Sequence, residues 1–425
     1  MTARNGAPAT REAPEQRRIL EVLILSQVLS GAGLAAGITV GALLAEEMLG
    51  STGLAGLPSA LFTAGAALGA VAIGRICRRF GRRPGLALGY GAGALGSLGV
   101  VVAAAVDSVP LLFLSLLVYG AGTATNLMAR YAGADLASPA RRGRAVSTVL
   151  FATTFGAVVG PNLVAVTGEL AHSWGIPRLA GPFLLAVAAF GAAAVVLACL
   201  LRPDPLRLAE ARAAQQADDA ATAAPAAEDA PRAEPGTDRR GVATGTAVMV
   251  LSQLVMIAVM TMTPVHMQAH GQDTRAAGLV IALHVGAMFL PSPLTGLLVD
   301  RIGRRWVALA CGPVLLAAGL LAAAAPPHSV PALAAALVLL GLGWNFGLVS
   351  GTAMVTDALP PARRAPVQGL VDVGISLAGA TGGLLSGPVV ALGGFPVLAL
   401  GGGVLALAVV PLAAGSPRET HSGKS

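Results

Sequence analysis

Lysine is all but missing from this sequence; the only one in 425 residues is Lys424. It lies in the C-terminal tail, with Arg418 where a G-x-x-x-x-G-K-[ST] loop needs its first glycine, so no such loop occurs and phosphate-cradling, ATP-driven transport by this chain is excluded. The G-x-S-x-G and H-E-x-x-H signatures are missing too, so an enzyme reading finds neither a nucleophile elbow nor a zinc-hydrolase pair. Cysteine is scarce: Cys77, Cys199 and Cys311 stand apart with no C-x-x-C pair, which implies neither a disulfide framework nor a thiolate metal site. Charge is thin as well. Asp, Glu, Lys and Arg make up 12% of the chain, about half the roughly 25% of soluble domains, and that excludes a string of soluble domains.

What the chain has instead is apolar length. Hydrophobic residues reach 55%, and the charges cluster so as to leave runs of about 20 residues, the length a helix needs to cross a bilayer. Apolar segments are expected at 19–45, 54–74, 84–106, 109–130, 145–169 and 179–201, then at 241–266, 274–299, 306–325, 330–355, 366–391 and 393–415. None alternates with the period of two that a membrane barrel requires, so the fold class is an all-α polytopic membrane protein. The first segment is far longer than the 7–15 apolar residues of a cleavable signal, and is read as a span. Residues 1–18 form a cytoplasmic tail, 19–201 an N-terminal six-helix half, 202–240 a linker, 241–415 a C-terminal six-helix half and 416–425 a second tail.

Of the 28 basic residues, 25 fall in the tails and in loops 2–3, 4–5, 6–7, 8–9 and 10–11, and Arg130 ends the fourth span on that same side; only Arg178 and Arg275 lie on the other side. By the positive-inside rule both termini are expected in the cytoplasm of a bacterial inner membrane. The net charge of +7 is then an orientation signal, and no nucleic-acid partner is needed to explain it. The linker from Arg202 to Arg240 mixes small residues, proline and both signs of charge without aromatics, so it cannot bury enough apolar surface to fold by itself.

The halves repeat each other. Loop 2–3 reads GRICRRFGRRPGL from Gly74 and loop 8–9 reads GLLVDRIGRRWVAL from Gly296; loop 4–5 reads ADLASPARRGRAV from Ala134 and loop 10–11 reads TDALPPARRAPVQ from Thr356. Pairing Gly81 with Gly303, Asp135 with Asp357, Pro139 with Pro361 and Arg141 with Arg363 gives one offset, 222 residues. Both halves start on the same side, so they are parallel repeats about an axis along the membrane normal. On these motifs the chain resembles the major facilitator superfamily. The signature G-x-x-x-D-R-x-G-R-R is matched by Gly296, Asp300, Arg301, Gly303, Arg304 and Arg305. In the first half Gly74, Arg79, Gly81, Arg82 and Arg83 match, but Arg78 occupies the acidic position, so a latch there must take its carboxylate from elsewhere. The resemblance implies twelve helices, alternating access, and loops that gate by charge-assisted bonds made in one state and lost in the other; topology enforcement is the other reading of these arginines.

All 21 acidic residues are placed in loops, tails or helix ends, and none reads as a mid-membrane carboxylate. Gly156, Gly160 and Pro161 resemble the core of the antiporter signature, with Val164 and Ala165 where further glycines are expected. Sulfur is more unevenly spread. Six of the ten methionines and three of the six histidines lie between Met249 and Met288. Met249, Met256, Met260 and Met267 fall within roughly 20° of one line along helix 7, at about 100° per residue. Thioethers and neutral imidazoles suit Cu(I); adaptable core packing is the competing explanation. The pair M-x-x-x-M (Met256, Met260) in helix 7 and H-x-x-x-M (His284, Met288) in helix 8 resembles the CcoA-like bacterial copper importers, and that resemblance makes these four the metal-binding residues. His266, Met267 and His270 sit where helix 7 meets the outer face, as a mouth for metal capture or a polar cap.

The sequence thus points to a secondary active transporter, expected to be a monomer in the lipid bilayer without a cofactor, importing copper or another soft metal as substrate. The alternative is a proton-coupled exporter of drugs or other small organic compounds.

Overall fold

The computed structural model describes residues 14–49, 57–223, 237–326 and 328–414, and the described chain is almost wholly helical. The tails and linker expected from the sequence lie partly outside it, at 1–13, 224–236 and 415–425. The N-terminal half holds α1 (Pro14–Leu49), α2 (Leu57–Phe80), α3 (Arg82–Ala105), α4 (Val109–Ala134), α5 (Arg142–Asn162), α6 (Val164–Ser173) and α7 (Gly181–Leu200). A linker helix, α8 (Pro205–Ala223), follows. The C-terminal half holds α9 (Arg239–Ala269), α10 (Thr274–Phe289), α11 (Ser292–Ile302), α12 (Arg304–Ala324), α13 (Val330–Asp357), α14 (Pro361–Ala406) and α15 (Val409–Ala414).

Among the described residues, nine stretches are long and apolar enough to cross a membrane. The last of them, from Pro361 to Ala414, is two spans joined at Gly394, whose φ of 79° ends one helix and starts the next. Adding α1 and the α5–α6 pair completes twelve. Three spans are more broken than their apolar runs suggest: α5 yields to α6 at Leu163, α10 to α11 at Leu290–Pro291, and the last span ends in the short α15. Pro264, by contrast, does not stop α9, which runs on to Ala269; a freed carbonyl in a membrane helix is readily satisfied by its neighbours.

Local chemistry sets the other ends. Asp238 caps α9 by accepting from the amides of Arg240 and Gly241 at 3.1 and 3.0 Å, and Asp273 caps α10 through the Ala276 amide at 2.7 Å. Gly81 and Gly303 are the one-residue hinges between α2 and α3 and between α11 and α12. Both have φ of 97°, a region closed to most side chains. The same φ at positions 222 apart is the duplication of the sequence expressed in backbone.

Each half has its own apolar core, one around Leu86, Tyr119, Phe183 and Phe190, the other around Val248, Leu315, Leu337 and Phe395. The halves meet along two seams, α2 against α14 and α5 against α11. Part of the linker is ordered by contact with the first half. Leu206 and Ala209 of α8 are buried, Asp204 accepts from the Arg83 amide at 2.7 Å, and Arg207 donates to the carbonyl oxygens of Arg78 and Arg79. The linker's composition indeed cannot make a core, but one face of α8 borrows a neighbour's.

Candidate functional site

The seams bring backbone against backbone. A Cβ on Gly296 would lie 2.1 Å from Ser147 Oγ and 2.6 Å from the Gly143 carbonyl oxygen. At the other seam a Cβ on Gly369 would lie 2.8 Å from the Ala70 carbonyl oxygen, and one on Gly74 would lie 3.1 Å from that of Ala365. The offset of 222 maps Gly74 onto Gly296, and Ala365 and Gly369 onto Gly143 and Ser147, so the two seams are built from matching positions. They lie at the arginine-rich ends of their helices.

Two matching charge clusters join the halves at that face. Arg82 pairs with Asp135 at 2.8 Å, both side chains fully buried, and donates to Gln368 Oε1 at 2.5 Å across the seam; Arg364 reaches back to the Asp135 carbonyl oxygen at 3.0 Å. In the second cluster Arg304 and, from the other half, Arg142 converge on Asp357. Each cluster is one aspartate held by one arginine of its own half and one from across. A third contact has no mirror image. Asp300 accepts from the amides of Gly143 and Arg144 at 2.8 and 3.1 Å and from Arg144 Nε at 3.0 Å, tying α11 to the positive N-terminus of α5.

Of the arginines expected to gate, Arg82 and Arg304 enter the seams. Arg83 instead donates to the Ala198 carbonyl oxygen at 2.7 Å, and Arg305 to that of Ala414 at 2.6 Å, each within its own half. Arg79 lies 5.1 Å from the Phe80 ring centre, and both Arg79 and Arg301 are exposed. The carboxylate missing at position 78 is not restored at that spot, but Asp204 of the linker serves the adjoining Gly81–Arg83 turn.

The deepest charge corrects the expectation that no carboxylate lies within the spans. Asp372 is 2% exposed, 11 residues into α14, about 16 Å along the helix at 1.5 Å per residue. Its Oδ1 accepts from Arg130 Nη2 at 2.6 Å and from the Tyr131 hydroxyl at 3.3 Å, while Oδ2 is buried without a partner. Arg130 Nε donates to Thr352 Oγ1 at 2.9 Å. Arg130 and Thr352 are themselves 222 apart, so this pair spans the axis that relates the halves.

The sulfur-rich window folds mainly into core. Met249, Met256 and Met267 are 1%, 2% and 0% exposed, Met288 is 8% exposed, and Met260 packs against the same cluster. Met249 Sδ accepts from Thr352 Oγ1 at 3.5 Å, which accounts for one end of the stripe as helix packing. His284 is buried, with Nδ1 2.8 Å from the Leu337 carbonyl oxygen and Nε2 unpartnered. At the opposite face His266 stacks on Phe395 at 4.5 Å and touches His270 at 4.4 Å; His328, which spacing could not reveal, lies 6.2 Å from His270. Met267 turns into the core and away from them. Gly156 packs on α1, where its Cβ would lie 2.3 Å from the Val28 carbonyl oxygen, a packing role for the antiporter-like glycine; the Pro161 side chain lies outside the described residues.

Two polar groupings escaped the sequence reading. In the N-terminal half Gln27, Ser30, Tyr90, Asn126 and Thr153 form one buried network, with Tyr90 donating to Gln27 Oε1 at 2.5 Å. In the C-terminal half Trp344 Nε1 donates to Gln253 Oε1 at 2.7 Å, and Phe289 meets the indole edge-on at 5.7 Å.

The profile of the Major Facilitator Superfamily matches residues 23–228 and 244–425. The chain belongs to this superfamily. Its members are transporters, and the chain is a multi-pass membrane transporter, not an enzyme, that works by secondary transport with alternating access. It is 54% identical to "Uncharacterized MFS-type transporter YdeG" of Bacillus subtilis (strain 168), over 93% of this chain and 91% of that one. It is 33% identical to "Riboflavin transporter RfnT" of Brucella anthropi, over 85% and 86%. The human organic anion transporter MFSD10 shares the fold, with a TM-score of 0.74 at 18% identity, over 94% and 100%. The copper-importer resemblance gains no support from these relatives and rests on its four residues alone.

Proposed function

We propose that this transporter carries a small organic compound with a planar, hydrogen-bonding ring system, and that riboflavin represents the class. The observation that carries the reading is the Gln253–Trp344–Phe289 grouping. An amide, an indole and a phenyl ring stand together, the two rings belonging to the apolar cluster that also holds the methionines of α9. Aromatic faces and thioethers suit a flat heteroaromatic ring, and the amide supplies the directional bond. The relative named as a riboflavin transporter supports the same class. A single copy, with its arginine-rich face in the cytoplasm of the bacterial inner membrane, performs the cycle. The Asp135, Asp357 and Asp300 clusters hold that face shut in one state and let go in the other.

A second reading, copper transport, is favoured by one observation: His284 Nε2 is buried and has no partner. One experiment separates the two. Cells that lack their own flavin and copper uptake are given the gene, then labelled riboflavin and labelled copper. We expect flavin flux that survives His284→Ala, and an affinity about tenfold weaker in Gln253→Leu, the loss of one hydrogen bond of about 1.4 kcal/mol. Copper accumulation that disappears with Met256→Ala and His284→Ala, without flavin flux, overturns the organic reading.

A further inference from the structure

The α2–α14 seam lacks what closes its twin. At the offset of 222, Arg78 stands where the other seam has Asp300, Ala365 where it has Gly143, and Pro366 where it has Arg144. The carboxylate has become a guanidinium. The residue that offered it both an amide and a side chain has become a proline, which offers neither. The acceptor and two of its three donors are thus lost together.

The seam keeps a groove instead, lined by Val71, Arg75 and Arg78 on one side and Pro366 and Leu370 on the other. Residues 71, 75 and 78 share one face of α2. Arg75 and Arg78 are exposed, and neither side chain meets an acidic group among the described residues. From the two arginines an apolar lane runs toward the opposite face of the molecule. Leu68 on α2 is 62% exposed, and Leu370, Leu377 and Leu384, one heptad apart on α14, are 64%, 56% and 69% exposed. Cations at the membrane surface with an apolar lane leading inward have the polarity of one kind of molecule: an anionic phosphate on an acyl chain.

We propose that this groove binds an anionic phospholipid, its phosphate between Arg75 and Arg78 and its chain along the leucine lane. Held there, the lipid touches both halves and stands in for the carboxylate that position 78 lacks. It favours the state in which the arginine-rich face is closed. The Asp300 seam needs no such help, because it carries its own anion. This role is independent of what the transporter carries.

The test uses the full-length protein. Native mass spectrometry of protein from phosphatidylglycerol-containing bilayers should show retained phosphatidylglycerol over phosphatidylcholine. Arg75→Gln with Arg78→Gln should weaken retention about thirtyfold, at about 1 kcal/mol for each basic residue near the surface. Lysine at both positions should keep most of it, and Arg301→Gln, at the other seam, should leave it unchanged. Both arginines are exposed, so the neutral variant should melt with the wild type in phosphatidylcholine and lose only the stabilisation by phosphatidylglycerol. Retention unaffected by the double substitution overturns the proposal. So does millimolar inorganic phosphate that displaces the lipid and stabilises as well as it does, since the site would then be one for free anions.

Discussion

Asp372→Asn should open the arginine-rich face and stop substrate accumulation. The substitution keeps the size of the side chain and removes the charge that meets Arg130, whose side chain is fully buried in the closed face. Breaking one partner of a buried ion pair costs about 3–5 kcal/mol, which is about a 150- to 5,000-fold change in an equilibrium. That cost falls on the closed state. When the halves part at this face, water can reach Arg130 and the penalty disappears. Maleimide labelling reports the shift. In a Cys199→Ser background, which leaves only the buried Cys77 and Cys311, a cysteine placed at Thr356 or Ala145 should be protected in wild type and labelled rapidly in Asp372→Asn. Replacing both members, Arg130→Met with Asp372→Leu, should restore much of the protection because no charge is left buried. Equal labelling of wild type and Asp372→Asn would show that the pair does not hold the face shut.

Asp372 also shows why the sequence was legible only up to a point. Twelve spans, their duplication and the offset of 222 follow from features local to one strip of sequence: apolar length, arginine clusters and two loop motifs. Gly81 and Gly303 could be paired on paper, and they share one φ angle in space. Arg82 was readable as a latch residue, and the aligned Asp135 proved to be its partner. The bond between Arg130 and Asp372 joins residues 242 apart, and neither belongs to a repeated motif. Counted against apolar runs, Asp372 fell near a helix end, because α14 begins five residues before the run does. The same limit applies to Gln253 and Trp344. An isolated amide and an isolated indole have no period, and only the packing of α9 on α13 makes them a pair.

The methionine stripe taught the converse. Its spacing was real and its four members do share a face, but that face is turned largely into the C-terminal core. A helical period reports that residues lie together on one side of a helix; whether a substrate or another helix covers that side depends on the neighbours. The seams invert this logic, since their function is carried by residues with no side chain at all. Gly296→Val should therefore abolish transport in a protein that still folds. Its Cβ alone would stand 2.1 Å from Ser147 Oγ and 2.6 Å from the Gly143 carbonyl oxygen; a hydroxyl can rotate away, but a helix backbone cannot. The clash lies between the halves, so each half keeps its own core, and the helices separate at the α5–α11 seam to relieve it. Separation carries Asp300 away from the Gly143 and Arg144 amides and removes the contact that ties the two halves there. Spin labels across the arginine-rich face should record a population several ångströms wider than wild type, with a melting temperature within a few degrees of it. Gly191→Val is the control, because a Cβ there meets nothing within 4 Å, and it should transport normally. If Gly296→Val transports at the wild-type rate, the closed seam is not a state through which the cycle passes.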